Sequence, residues 1–274
     1  MKLAKFLYFV FFVFYSMSSF AEKSFFEDIS NLLPDQKPRL SYGVAVTDFD
    51  NDGADEFIVT GFGYENLALG YDGNSLQNKI KENIFSDFNR STIGVAACDI
   101  DKDGHEEIYF LNTDTYSGQK MYSDRLLKLV DKNIEDLFEK DINQDELNLT
   151  AGRSVVCVDR EGKGNYGIYV ANYGGPTRFY EYIDNRVVDL AESLKLDEIT
   201  GGRAVVAGHI ISDQMDIFAA NERGPNFLYF NKEGKFLDVA GQMNVRDIYQ
   251  NGRGTALSDI MYSCLLYTSD AADE

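Results

Sequence analysis

Residues that support covalent or redox chemistry are scarce in this chain. It holds two histidines, His105 and His209, and three cysteines. No HExxH, CxxC, GxSxG or GxxxxGK string occurs in it. That removes the most legible signatures of zinc hydrolysis, thiol redox chemistry, serine hydrolysis and phosphate cradling. Basic residues are also few, 26 Lys and Arg against 45 Asp and Glu, for a formal charge of −19. Nucleic acid needs a basic surface to meet its phosphates, so that partner is excluded, and so are anionic membrane surfaces. The balance fits soluble extracellular proteins and cation binders.

No apolar run is long enough to span a bilayer, which takes ~20 residues. The longest, Phe6 to Tyr15, follows Lys2 and Lys5 and precedes the small-x-small stretch Ser19-Phe20-Ala21. This is the layout of a secretory signal peptide over residues 1–21. The mature chain is expected to begin near Glu22 and to be secreted, extracellular or, in a bacterium, periplasmic, with no membrane insertion. At the other end, residues 264–274 (CLLYTSDAADE) look like a translated sequencing adapter. The authentic chain is expected to stop near Ser263. What remains is long enough to bury a real core, and its hydrophobic content of 44% excludes disorder.

Within that stretch the dominant signal is a period. Four segments share one grammar: YGVAVTDFDNDGADEFIVTGF from Tyr42, IGVAACDIDKDGHEEIYFLN from Ile93, RSVVCVDREGKGNYGIYVANYGGP from Arg153 and RAVVAGHIISDQMDIFAANERGP from Arg203. A fifth, RGTALSDI, begins at Arg253. The anchors Gly43, Gly94, Ser154, Ala204 and Gly254 are spaced by 51, 60, 50 and 50 residues. The long interval carries extra residues between Asn112 and Asn148. Each repeat reads as four short strands: one small and apolar, one β-branched or aromatic, one aromatic-rich, and one ending in a phrase like KFLDVA, RVVDLA or NIEDLF. Radial four-stranded blades are the β-propeller architecture. The expected fold is therefore all-β, a propeller of ~50-residue blades truncated to about four, over residues 41–263. The phrase recurs once more as FFEDIS, Phe25 to Ser30. Residues 22–40 are thus expected to supply an outer strand without its own blade, which would close a ring, followed by a linker. Cys98 and Cys157 sit at different offsets in their repeats and are expected to be buried free thiols, although secretion permits a bond.

Between the first two strands of the first repeat lie Asp48, Asp50, Asp52, Gly53 and Glu56. The second repeat has Asp99, Asp101, Asp103, Gly104 and Glu107. Both read D-x-D-x-D-G-x-x-E. Calcium takes six to eight hard oxygens, and alternating carboxylates in a tight loop aim several at one centre. The backbone carbonyls of Ala54 and His105 would add another oxygen each. Without a cation these carboxylates repel one another. The loop is not an EF-hand, since the twelfth positions are Val59 and Phe110, inside strands. In the third repeat Asp159, Glu161, Lys163 and Gly167 stand in the corresponding places, so a lysine would replace the ion. The fourth has His209 and Asp216 and no acidic triplet. Two Ca2+ sites are expected, and a fifth loop would start at Asp259.

These strings resemble FG-GAP or VCBS-type propeller repeats. More narrowly they resemble the cartilage acidic protein family and its bacterial relatives with a C-terminal ASPIC/UnbV domain. The residues that carry the likeness are GVAVTD from Gly43, ACDIDKDGHEEIYFLN from Ala97, AGRSVVCVDR from Ala151, IYVANY from Ile168 and NERGPNFLYFN from Asn221. The resemblance implies a secreted calcium-binding propeller of about seven blades with adhesion or matrix-like roles, and it names no ligand. A non-catalytic module binding an extracellular protein or glycan is the leading expectation, with a lectin or a calcium-assisted polysaccharide lyase as alternatives. No catalytic constellation of Lys, His or Tyr is visible. Arg153, Arg203 and Arg253 recur before the inner strands. They are read first as inter-blade hydrogen-bonding groups and second as an anion site at the mouth of a channel.

Overall fold

The computed structural model describes residues 26–33, 38–80, 83–131 and 133–258. The signal-peptide segment 1–21, Phe25, the loop start at Asp259 and the adapter segment 264–274 lie outside the described residues. Strands come in four sets of four. The first blade is β1 (Val44–Thr47), β2 (Glu56–Val59), β3 (Leu67–Tyr71) and β4 (Leu76–Asn78). The second is β5 (Thr92–Cys98), β6 (Glu107–Asn112), β7 (Arg125–Val130) and β8 (Asn133–Asp136). The third is β9 (Gly152–Val158), β10 (Gly167–Pro176), β11 (Arg178–Ile183) and β12 (Arg186–Asp189). The fourth is β13 (Ile199–Gly208), β14 (Asp216–Asn221), β15 (Phe227–Lys232) and β16 (Lys235–Asp238). Each set is an antiparallel meander paired in chain order, and β10 also pairs with β13 through Tyr173–Gly201 and Pro176–Ile199. The inner strands stand side by side, β1 against β5, β5 against β9 and β9 against β13. This is a partial β-propeller.

The blades stack face to face, and the two-residue period of a strand decides which side chain meets which neighbour. On β6, Ile108 and Phe110 pack with Ile58 and Ala68 of the first blade, whereas Tyr109 and Leu111 pack with Ile168, Val170 and Tyr180 of the third. On β10, Ile168 and Val170 face the second blade while Tyr169 and Ala171 face Ile217, Ala219 and Tyr229 of the fourth. So, among the described residues, the core is three successive inter-blade layers plus a smaller cluster within the fourth blade around Leu228, Val239 and Ala240, rather than one centre. Near-continuous apolar strands such as IYFL follow from being buried on both faces.

The recurring outer phrase has a structural cause. Asp136, Asp189 and Asp238 each accept a hydrogen bond from the amide two residues on, Phe138, Ala191 and Ala240. Each also accepts one from the start of the third strand, at Leu126, Phe179 and Leu228. One carboxylate thus ends the outer strand and fastens it to its neighbour. Asp28 makes only the local half, with the Ser30 amide at 2.9 Å, and residues 26–29 form no strand.

Cys98 and Cys157 are joined in a disulfide, with Cα atoms 5.9 Å apart, so the expectation of free thiols is wrong. The unequal offsets are what the bond needs. Cys98 lies four residues after Gly94 and Cys157 three after Ser154. Opposite parity puts the two side chains on opposite faces of their strands, and adjacent blades meet through opposite faces. Ala96 and Cys98 of β5 share a layer with Val155 and Cys157 of β9. No helix among the described residues is long and apolar enough to cross a membrane.

Candidate metal centres

The β1–β2 and β5–β6 hairpin loops fold alike because their first aspartate organises the backbone. Asp48 accepts the amides of Asp52 and Gly53, both at 2.9 Å. Asp99 accepts those of Asp103 and Gly104 at 3.1 and 3.0 Å. The sharp turn puts Gly53 and Gly104 at φ of 88°, a region open to glycine. In the third blade the same turn persists, with Asp159 accepting the amides of Lys163 and Gly164 at 3.1 and 2.6 Å. Loop shape is therefore written by this one carboxylate, and the remaining acids are free for another use.

Those acids converge. Ligand oxygens of Asp48, Asp50 and Glu56 all lie within 4.8 Å of one another, and so do those of Asp99, Asp101 and Glu107. Glu56 and Glu107 open the second strands, opposite Thr47 and Cys98, and both are buried at the floor of their loops. Asp52 and Asp103 stand at the rim and outside either group. Asp52 accepts the Ala54 amide at 2.9 Å, and Asp103 accepts the His105 amide at the same distance. Ala54 and His105 thus enter as amide donors to the rim, and the His105 side chain is exposed.

The two floors differ in charge balance. Neither carboxylate oxygen of Glu56 has a hydrogen-bond partner. Burial, with Asp50 and Asp52 nearby, pushes its pKa up to about 7 against the opposing pull of Lys79 and of the Phe49 amide, which faces it outside hydrogen-bond geometry. The cation at hand is Lys79, 3.7 Å from Asp52 and on the rim. In the second loop, Lys128 on β7 reaches in. Its ammonium lies 2.7 Å from Asp101 and 2.8 Å from both Asp103 and Glu107. Burial opposes the charge on Lys128, but the three carboxylates outweigh it and hold its ammonium above the ordinary lysine value. Glu107 also accepts the Ile100 amide at 3.0 Å, yet burial still raises its pKa to about 7. A buried, unpartnered carboxylate costs several kcal/mol unless something neutralises it (roughly 2–7 for a polar group). An all-oxygen donor set with that deficit fits a hard divalent cation.

The other two loops reach balance without one. Lys163 pairs with Glu161 at 2.7 Å in an exposed contact, and Arg160 bonds Glu181 on β11. In the fourth blade Asp216 takes the register of Glu56, opposite Gly208. Its carboxylate accepts the amides of Ile210, Ile211, Ser212 and Asn231. There the backbone does the neutralising. The sequence reading missed Lys79 and Lys128, which follow each D-x-D-x-D-G loop at similar distances along the chain and were the available signal.

Residues 26–110 match the FG-GAP-like repeat. Over most of its length it is similar to cartilage acidic protein 1. It is 42% identical to the Xenopus tropicalis protein over 247 residues, covering 81% of this chain and 38% of that protein. With the Homo sapiens protein the identity is 42% over 273 residues, covering 87% and 41%. The chain therefore spans about two fifths of the length of the curated relatives it matches. Among solved structures, BBS1N in complex with ARL6DN is matched at 10% identity and a TM-score of 0.44, over 73% of this chain and 56% of that one.

Proposed function

We propose that this chain is a calcium-stabilised propeller module of a secreted protein, and that it binds an extracellular or matrix partner without catalysis. The observation that carries the calcium reading is the Glu56 carboxylate, buried and without a hydrogen-bond partner beside Asp48 and Asp50. Asp48, Asp50 and Glu56 would hold one ion, and Asp99, Asp101 and Glu107 a second, with Asp52 and Asp103 at the rims. The bound ion supplies charge and rigidity to the loops. Support for secretion comes from the Cys98–Cys157 bond, which belongs to oxidising compartments, and from the apolar leader pattern at residues 1–21.

The test is the thermal midpoint with calcium and with chelator. An ion that binds only the folded state at a hundredfold excess over its Kd adds about 2.7 kcal/mol per site. A midpoint indifferent to chelator would refute the calcium reading.

A further inference from the structure

At the end of the inner strands opposite the acidic loops lies a cavity of about 530 Å³. All four blades reach it, through Tyr42 and Phe62, Ile93, Arg153 and Arg203. Part of its wall comes from the one interval that breaks the period. The extra residues after Asn112 bring Asp114, Thr115 and Tyr116 into the lining. They are fastened there by the Gly118 amide to the Tyr173 carbonyl at 2.9 Å and the Ala151 amide to the Gly118 carbonyl at 2.8 Å. The buried Lys120–Asp124 pair anchors the base of this insertion.

Charge in the cavity runs against the rest of the molecule. Arg203 and Arg253 share a single carboxylate, Glu222. Among the described residues Arg153 makes no ion pair within 4.0 Å, Glu222 acting on it only at longer range. Its terminal nitrogens donate to Thr113 Oγ1 at 3.0 Å, to the Gly152 carbonyl at 2.9 Å and to the Tyr116 carbonyl, while Nε is buried with none. Both guanidinium groups lie against the same two rings. Arg153 is 5.3 Å from the centroids of Tyr116 and Tyr173, and Arg203 is 5.9 and 5.4 Å from them. Burial and the Arg203 charge pull the Arg153 guanidinium below its ordinary value. In a chain of formal charge −19, three arginines, Arg153, Arg203 and Arg253, against the two carboxylates Glu222 and Asp114 leave a local positive excess. The rest of the wall pairs exposed aromatic faces, Tyr42 and Tyr116, with Thr113, Ser91 and Asp114.

We propose that this cavity binds a carboxylate-bearing sugar, a hexuronate unit of an acidic glycan. The carboxylate meets the uncommitted donors of Arg153, with the charge of Arg203, whose own fork already holds Glu222, beside it. Tyr42 and Tyr116 cover the apolar face of the ring. Asp114 and the hydroxyl groups accept from and donate to the sugar hydroxyls. The volume falls in the range of small-ligand sites, about 300–1,000 Å³, and exceeds what a bare inorganic anion fills. The assignment gives the proposed matrix-binding role a ligand class and rests on that role, but it does not depend on calcium, since the acidic loops lie at the other end of the strands.

Calorimetric titration of the full chain in calcium tests it, with digalacturonate as the probe and neutral galactobiose and inorganic sulfate as comparisons. Digalacturonate is expected to bind, with galactobiose at least about tenfold weaker for the loss of one charge-assisted contact, and sulfate at least about tenfold weaker for the loss of the contacts to the sugar ring. Arg153→Ala and Arg153→Lys should each weaken digalacturonate about 10- to 100-fold. Tyr42→Ala, at an exposed position, should weaken it several-fold without disturbing the fold. Lys163→Ala, on the exposed third hairpin loop, should leave it unchanged. A flat titration, equal affinity for galactobiose or sulfate, or Arg153→Lys and Tyr42→Ala that both bind like the parent would overturn the proposal. A chelator-insensitive midpoint with intact digalacturonate binding would remove the calcium reading and leave this one standing.

Discussion

The first and second acidic loops carry the same motif, yet they are different electrostatic objects. In both, the first aspartate folds the turn and three carboxylates converge. In the second, Lys128 fills the space between Asp101, Asp103 and Glu107. In the first, Glu56 is left bare and Lys79 stays at the rim. The motif sets which oxygens meet; a residue two strands away sets how badly they need an ion. A D-x-D-x-D-G-x-x-E loop is therefore a statement about shape first and about affinity only after its neighbours are read.

The comparison can be broken most directly by removing calcium. Chelation should lower stability by about 2.7 kcal/mol per site that had been at a hundredfold excess over Kd. Asp50→Ala should abolish a larger part of that shift than Asp101→Ala, as measured by calorimetry of each variant with and without chelator. Equal losses would mean that Lys128 plays no part in the balance.

Next in size is Asp216→Asn in the fourth blade. There the carboxylate is already neutralised by amides, so the change should cost about 2 kcal/mol and the cost should be the same in calcium and in chelator. A calcium-dependent penalty would show that this loop binds metal as well.

Lys128→Met sharpens the contrast by making the second loop resemble the first. In chelator it should destabilise by about 1 kcal/mol, a partly exposed contact being worth less than a fully buried one. In calcium the loss should be recovered, and the calcium-induced shift should grow. Isothermal titration would show the second site tightening.

The pH profile gives a further readout of the same contrast. Glu56 and Glu107 have pKa values of about 7 in the metal-free fold against an ordinary 4.5. Between those values the folded state holds more protons than the unfolded one, so stability falls as pH rises through the window. Chelated protein should therefore lose midpoint from pH 5 to pH 7, Glu56→Gln should lose less, and calcium should oppose the fall because it binds the ionised carboxylates.

Much of this was legible along the chain. The 50-residue period places every blade, and the outer phrase marks the end of the fourth strand in the second, third and fourth blades, because one aspartate performs one hydrogen-bonding task each time. Asp48, Asp50 and Glu56 could be grouped from spacing since a hairpin brings them together locally. Lys128 could not, because its contact is made across the blade from β7. The Cys98–Cys157 bond was misjudged by comparing offsets as though identical positions should meet. Between face-to-face blades it is positions of opposite parity that meet. Tyr116 in the wall of the arginine cavity was hidden for another reason: an insertion shows in the spacing, but where it folds does not.

The Asp48, Asp99 and Asp159 turns have one more implication. Each loop is already shaped by two amide contacts, including the third, which lacks the acidic triplet. An ion arriving at the first two loops would meet a finished bowl with little chain to order, so most of its binding free energy would be left to stabilise the fold. Uptake should then be quick and leave the far-ultraviolet circular dichroism almost unaltered, with the gain showing up in slower amide exchange at the hairpin tips.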